Sequence, residues 1–442
     1  MTLNAGQGVA VDGVLRAFLQ ENEPGRIIVG EGGTGKTYCT AYLIEQFIEA
    51  GLTVIMTAPT NKAVKQLEKA AREAGLDMNR ITFKTLHSGL GLSLLPDEDR
   101  KFASRVRAGI LELYDVVVID EASMLSKVLL MNYLLPDQRK ANYRILMLGD
   151  AMQLPPPKET HSLAFDLFPT YELTQNQRQT LNEDGTPNGI LELTAPLRTA
   201  IREDKRFNFS SIPDNNVVAL KDAQFKKYIL EQFDKDSDLD NLRVMAWRNY
   251  RVDEINRMIR EKIYGADALP FEEGERVVTG EPIKNDEGEM ILGTDEECIV
   301  AAVSDSYVVD EVTGDEYKTR LLALRPIHAN VDQVFAHVLH EDAKALYDAR
   351  IKKLADRAST AVGSAKGLAW RRWHEFKELF SNIRYCYCIT VHRSQGSTYD
   401  HGIVDVKDIM DNPRPKERRQ LLYVGFSRCR KLLSINKTGF IT

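Results

Sequence analysis

The chain has 442 residues, 43% of them hydrophobic and 28% charged, proportions of an ordinary globular protein that exclude long disorder, collagen-like repeats and a coiled-coil rod. No window approaches the 18 consecutive apolar residues of a membrane-spanning helix, and the first residues lack a basic-then-apolar leader, so neither a span nor a signal peptide is expected. The net charge of −6 conceals an asymmetry: residues 351–442 carry 18 Lys and Arg against 8 Asp and Glu, and the preceding 350 residues are net acidic. A basic C-terminal segment points to a local anionic partner, although solvated helices account for such charge equally well. Five scattered cysteines (Cys39, Cys298, Cys386, Cys388, Cys429) read as reduced thiols of a cytoplasmic protein, not as a disulfide framework.

Along the chain, residues 8–20 have helical spacing. Residues 26–51 read as strand, glycine loop and helix, residues 52–60 as a strand and 61–75 as a helix. Two short apolar runs, VVVI and ILML, read as strands covered on both faces, each ending in acidic residues. The strand–helix alternation restarts near 243 and breaks off. Residues 270–326 then show short β-type runs among Gly and Pro, which predict a small antiparallel barrel. Residues 341–382 read as helical, and the α/β pattern returns from 385 to the end. The predicted fold is therefore α/β, with two parallel-sheet cores, the second split by an insertion.

Gly30-Glu31-Gly32-Gly33-Thr34-Gly35-Lys36-Thr37 fits GxxxxGK[ST] between a predicted strand and helix. Glycines at 32, 33 and 35 and the Thr34 amide allow backbone N–H groups to surround phosphates. The Lys36 ammonium suits the β- and γ-phosphates, and the Thr37 hydroxyl suits Mg²⁺. Asp120 and Glu121 follow VVVI, 84 residues after Lys36 in the case of Asp120. Asp120 can hold Mg²⁺ through water, and Glu121 can orient or deprotonate an attacking water. A simple helix cap is the structural alternative for this pair. Gln153, in LMLGDAMQLPPP, carries an amide that can sense a γ-phosphate; an ordinary strand exit is as consistent with its spacing. Cys386-x-Cys388 has the wrong spacing for zinc, and His337 and His340, three apart on a predicted helix, have no partner cluster.

Taken in order, GEGGTGKT, VVVIDEASM, LMLGDAMQLPPP, TVHRSQGSTYD and LLYVGFSRCR resemble the motifs of superfamily 1 helicases. The resemblance is greatest to the branch of the phage Dda and RecD-type enzymes, and it runs through nearly the whole chain. It implies two RecA-like cores: a first of residues 1–88 and 113–175, with a pin hairpin at 89–112, and a second of residues 176–264 and 383–442, with an accessory insertion at 265–382 built as a small β-barrel plus helical extension. It implies that Gln7 reads adenine, and that Arg178 and Arg428 reach the γ-phosphate from the second core. It further implies strand contacts by Thr60, Thr85, His87, Asn249, Thr390, His392 and Gln395. Phe102 in the pin is the candidate wedge at the fork, and packing under a loop is its alternative. Trp370 and Trp373, at i, i+3 spacing, are expected to pack.

The activity implied is an ATP- and Mg²⁺-dependent DNA helicase moving 5′→3′ on single-stranded DNA and opening single-strand/duplex junctions. The setting would be phage or bacterial DNA replication or recombination, with a likeness to monomeric enzymes that meet single-strand-binding proteins. A P-loop ATPase or translocase without strand separation, a DNA-binding subunit with a relic ATP site, and a helicase of opposite polarity or acting on RNA are the competing readings.

Overall fold

The computed structural model describes residues 3–97, 100–105, 108–175, 186, 188–207, 209, 211–285, 290–329 and 331–437, with the side chains of 93–107 not included. After α1 (Ala5–Leu19), a strand–loop–helix unit forms from β1 (Gly25–Gly30) and α2 (Lys36–Glu49). It continues through β2 (Val54–Ala58), α3 (Asn61–Glu73), β3 (Ile81–Thr85) and α4 (Leu86–Gly89). Strands β4 (Leu92–Asp97) and β5 (Arg100–Arg105) form a separate two-stranded hairpin within this core's sequence. The core resumes with β6 (Val116–Ile119), α5 (Lys127–Leu129), α6 (Leu135–Ala141), β7 (Arg144–Gly149) and β8 (Thr170–Leu173).

Six of these strands make one sheet in the order β3-β2-β6-β7-β1-β8, parallel throughout. Strands covered on both faces must be apolar throughout, and all four residues of β6 and all five of β2 are buried. One apolar cluster packs α1, α2 and α3 on one face, and a second, centred on Ile27, Val117, Ile119 and Met147, fills the other.

A second all-parallel sheet has the order β18-β10-β19-β20-β9. Its strands are β9 (Val217–Leu220), β10 (Leu242–Ala246), β18 (Cys388–Thr390), β19 (Tyr399–Val404) and β20 (Cys429–Asn436). It is packed against by α7 (Gly189–Arg202), α8 (Asp222–Gln232), α12 (Val406–Met410) and α13 (Pro415–Ser427), and β10 leads into α9 (Asn249–Tyr264). Helix α13 buries eight consecutive residues from Arg419 to Phe426, so it is enclosed on all sides rather than amphipathic.

The insertion carries β11 (Arg276–Thr279), the ribbon β12 (Ile283–Lys284) with β13 (Met290–Leu292), β14 (Glu297–Val309), β15 (Glu316–Pro326), β16 (Val334–Leu339) and β17 (Ile383–Tyr385). Its main sheet is antiparallel, β16-β15-β14-β11-β17. The Ser381 N–H, just ahead of β17, donates to His337 O on the opposite edge at 2.7 Å, which curls the sheet toward closure. Helices α10 (Lys344–Thr360) and α11 (Ser364–Glu378) pack as a pair around Tyr317, Tyr347, Phe376 and Phe380.

Two expectations change here. Ile383–Tyr385, placed by sequence in the second core, pairs antiparallel with β11 in the insertion. His337 lies on strand β16, and His340 caps a 3-10 turn, so the predicted helix bearing both is replaced by β-structure. The cause is visible in VFAHVL, whose β-branched residues and alternating burial suit a strand. The chain divides into two compact units: residues 1–93, 103–255 and 387–442, and residues 94–102 with 256–386. Both parallel sheets belong to the first unit; the outer part of the hairpin belongs with the insertion. Among the described residues no helix is long and apolar enough to cross a membrane.

Candidate nucleotide site and strand path

The sheet order sets the site. Strands β6, β7 and β1 are consecutive neighbours and parallel, so the loops after them leave from one edge, at the carboxyl ends where ligands of open α/β sheets bind. These loops carry Asp120–Glu121, Asp150–Gln153 and Gly30–Lys36.

The phosphate loop is tightly folded. A Cβ on Gly30 would come within 2.4 Å of Thr34 Oγ1 and 3.0 Å of Leu173 O, and Gly33 and Gly35 have φ of 91° and 86°, values that favour glycine. Lys36 Nζ donates to Gly30 O at 2.7 Å and Glu31 O at 3.0 Å, so the ammonium is held over the loop's own carbonyls. Exposed Thr37 and part-buried Asp120 border the same small recess. Asp120 accepts from the Glu121 N–H at 2.8 Å. Burial, then the Glu121 charge, pushes the Asp120 carboxyl up to about 6, while Lys36 and Arg428 act in the opposite sense. Burial and a neighbouring like charge both disfavour the ionised form of a carboxyl group.

Gln7 is buried and does two things at once. It completes a capping box with Asn4 at the start of α1, and its amide donates to Thr34 O at 3.1 Å. The described Gln7 thus ties α1 to the phosphate loop; reading adenine would use this amide in a different arrangement. Gln153 is also buried, and its Oε1 has no hydrogen-bond partner, a costly state for a buried acceptor unless a donor arrives.

The second core faces this edge. Glu121 Oε1 lies 3.9 Å from where a Cβ on Gly396 would sit. Arg428, at the C-cap of α13, is buried, donates to Ser397 O at 3.2 Å and leaves its Nε without a partner. The cleft beside it is lined by Glu31 and Gly32 from the loop and by Asn188, Thr194, Tyr423 and Ser427 from the second core. A phosphate loop and carboxylate pair on one parallel sheet, met by a buried arginine from another, are the parts of an ATP cleft between two RecA-like cores.

Comparison with known proteins agrees. Residues 2–192 match the AAA domain family, and residues 385–435 match the UvrD-like helicase C-terminal domain. The ATP-dependent DNA helicase Dda of Enterobacteria phage T4 is 27% identical, over 97% of this chain and 98% of its own. The RecBCD subunit RecD of Buchnera aphidicola is 23% identical, over 93% of this chain and 70% of its own. A Pif1 helicase, from a structural study of unwinding at forked duplex DNA, superposes with a TM-score of 0.53 at 18% identity, covering 100% of this chain and 93% of that one. Over nearly its whole length the chain is thus similar to superfamily 1 helicases.

The remaining predicted residues fall into groups. Thr60 and Thr85 are the N-caps of α3 and α4, their hydroxyls accepting from Ala63 N and Ser88 N at 3.2 Å each. His87 follows on α4, its pKa lowered by burial. Thr390 ends β18 and accepts from the Arg393 N–H at 3.3 Å. His392 is part-exposed, 4.0 Å from Glu417, and shares a cavity of about 380 Å³ with Pro155–Pro157, Lys158, Arg414 and Lys416. Asn249 opens α9 and is exposed. Gln395 is buried and donates to Leu154 O at 3.2 Å, bridging the cores instead of facing solvent. Because β18 and β19 are separated by β10 and all three are parallel, the chain from Thr390 to Ser397 runs from the carboxyl end of β18 past β10 toward the amino end of β19.

Arg178 and the Phe102 side chain lie outside the described residues. Trp370 and Trp373 are part-buried and meet edge-to-face at 5.7 Å, with His374 4.7 Å from Trp373. The sequence reading gives no role to Asp150, Arg198, Gln420 or Tyr423. In the structure Tyr423 Oη donates to Asp150 Oδ2 at 2.5 Å and Arg198 Nε approaches Asp150 Oδ1 at 3.9 Å. The available signal was the spacing of Gln420 and Tyr423, one helical turn apart and so on one face of α13.

Proposed function

We propose that this protein is an ATP-dependent DNA helicase that moves 5′→3′ along single-stranded DNA, acts as a monomer and opens the duplex at a single-strand/duplex junction. The observation that carries the reading is the pair of facing edges: Lys36, Asp120, Glu121 and Gln153 on one parallel sheet, and buried Arg428 on the other. The likeness to the DNA helicase Dda along both full chains supports DNA as substrate, and the 5′→3′ polarity is what the resemblance of the motifs implies.

The residues present fit Mg²⁺ and ATP. Thr37 and Asp120 are oxygen donors bordering one recess, and the orphaned Gln153 Oε1 and Arg428 Nε await partners. When bound, Mg²⁺ supplies charge neutralisation for the phosphates, with Thr37 and Asp120 as its protein ligands. Lys36 leaves the loop carbonyls for the phosphates, and Glu121 orients and accepts a proton from the attacking water. Arg428 places a guanidinium against charge developing on the transferred phosphoryl group. Arg178 supplies a second. Because Arg428 belongs to the other core, hydrolysis is tied to core closure. Thr60, Thr85, His87, Asn249, Thr390 and His392 grip the strand through its backbone, which carries no sequence information. Gln395 takes part from the boundary of the two cores, and Gln7 sets nucleotide choice.

The test is strand displacement with ATP and Mg²⁺ on duplexes differing only in a 5′ or a 3′ tail. Opening of the 5′-tailed duplex alone is expected, with Lys36→Ala inactive in both ATPase and displacement while retaining DNA binding. Opening of the 3′-tailed duplex alone would reverse the polarity. DNA-stimulated ATPase without opening of either would favour a translocase.

A further inference from the structure

The loop Asp150–Leu154 belongs in sequence to the first core, but the second core holds most of it. Tyr423 Oη donates to Asp150 Oδ2 at 2.5 Å, Gln420 Nε2 donates to Gln153 O at 2.8 Å, and Gln395 Nε2 donates to Leu154 O at 3.2 Å. The Leu154 side chain, 1% exposed, is built into the apolar cluster of the second core with Leu193, Leu421 and Val424, and Met152 packs against that cluster. Asp150 also shapes the loop from within, its Oδ1 accepting from the Met152 N–H at 3.0 Å and its carbonyl from the Gln153 N–H at 3.1 Å. One carboxylate thus fixes the loop's fold with one oxygen and its attachment to α13 with the other.

Two features indicate that this attachment has a purpose beyond packing. The first is the chemistry of the contact: a charged carboxylate, 1% exposed, bonded to a tyrosine hydroxyl that is itself 1% exposed. Burial, followed by the Asp150 charge, holds the Tyr423 hydroxyl well above its ordinary value, so it remains a donor. A buried charge is retained only when it is well bonded, and an apolar pair would pack at lower cost. The second is where the ends lead. Gln153 carries the unpartnered Oε1 at the nucleotide edge, and α13 ends in Arg428. The same helix therefore holds the loop that carries Gln153 and ends at the arginine.

We infer that Tyr423 and Asp150 form an inter-core latch that sets Gln153 and Arg428 in register, making both positioning residues for ATP hydrolysis rather than catalytic ones. Gln420 and Gln395 are its secondary fastenings. The latch deepens the helicase reading above and rests on it. Its loss leaves phosphate binding by the first core in place and misplaces the groups that act on the transferred phosphoryl.

Tyr423→Phe keeps the ring and deletes only the hydroxyl; Asp150→Asn keeps the shape and deletes the charge. Each is expected to lower the DNA-stimulated ATPase kcat by about tenfold to a hundredfold, the range for a buried charge-assisted hydrogen bond, with the KM for ATP within about twofold, as for an interaction realised in the transition state. The double variant should be no worse than the worse single one, because both break the same bond. Additive losses, or a wild-type kcat in Tyr423→Phe, overturn the latch. A purely structural role predicts a lowered melting temperature with kcat per folded molecule unchanged, and that result also overturns it. If Asp150→Asn fails to fold, Gln420→Met tests the neighbouring fastening by the same readouts. Wild-type enzyme that shows no DNA stimulation counts against the helicase reading itself, whereas stimulated wild type with unaffected variants counts against the latch alone.

Discussion

At Gly30 the absence of a side chain lets the phosphate loop close. A methyl group there would stand 2.4 Å from Thr34 Oγ1 and 3.2 Å from Leu173 Cβ, besides crowding the fixed carbonyl of Leu173. Thr34 can rotate away only by giving up its bond to Glu31 O at 2.9 Å. Gly30→Ala should therefore weaken ATP binding at least about tenfold while the fold survives, as a fluorescent nucleotide titration beside a thermal melt would show. Unchanged affinity would mean that the loop does not have this shape when it binds. His401 offers a second residue-scale test. Its Nε2 bonds Ser434 Oγ at 2.9 Å and Tyr228 Oη at 3.4 Å, joining β19, β20 and α8, and burial lowers its pKa. A histidine held neutral binds fewer protons folded than unfolded, so its share of stability is present above the ordinary value near 6.5 and is lost as pH falls through the lower folded value. The melting temperature should drop as pH goes from 7.5 to 5, and His401→Gln should flatten that drop; an unaltered slope would assign the acid sensitivity elsewhere.

Elements differ in how openly the sequence declares them. The phosphate loop is legible because the strand, loop and helix that build it are contiguous, and its glycines have backbone reasons to be where they are. The carboxylate pair is legible because a four-residue apolar run rich in valine fits a covered strand, and the acids follow it. The Asp150–Tyr423 bond is not, since 273 residues separate its ends and no local periodicity predicts which strand exit a helix face will meet. The end of the insertion is misplaced by sequence for a similar reason: Ile383–Tyr385 is a short β-type run whose sheet is chosen by its partner β11, not by its composition. Helix α13 joins the legible and the hidden parts. Its C-cap residue Arg428 is recognisable by resemblance, yet its orientation depends on the buried face that contacts the first core. Arg428→Ala should lower kcat by about 10³-fold or more with a smaller change in ATP affinity. Arg428→Lys should recover little, because a point charge cannot reproduce a planar fork bonded at Ser397 O. Rapid-quench measurement of a single turnover checks both; recovery by lysine would reduce the arginine's role to charge alone.

On the scale of the whole molecule, the motor and the hairpin belong to different compact units. Both parallel sheets, the phosphate loop, Arg428 and the latch lie in the first, and residues 94–102 of the hairpin fall with the insertion in the second. Under the proposed function, such a division separates two tasks that share one fuel: stepping along a strand needs the cores to open and close, whereas parting a duplex needs an obstacle that the strands must pass. Phe102, on β5 in this second unit, is the aromatic proposed to meet the last base pair, where stacking is worth about 1–3 kcal/mol per base. Phe102→Ala should then reduce the rate of strand displacement by about tenfold while single-strand translocation, followed by the arrival of enzyme at a labelled end, falls much less. Lengthening the duplex should widen that gap, since each added pair is another step at which the obstacle acts. A parallel loss of both rates would place Phe102 in the packing of the hairpin and leave strand separation to some other feature of this unit.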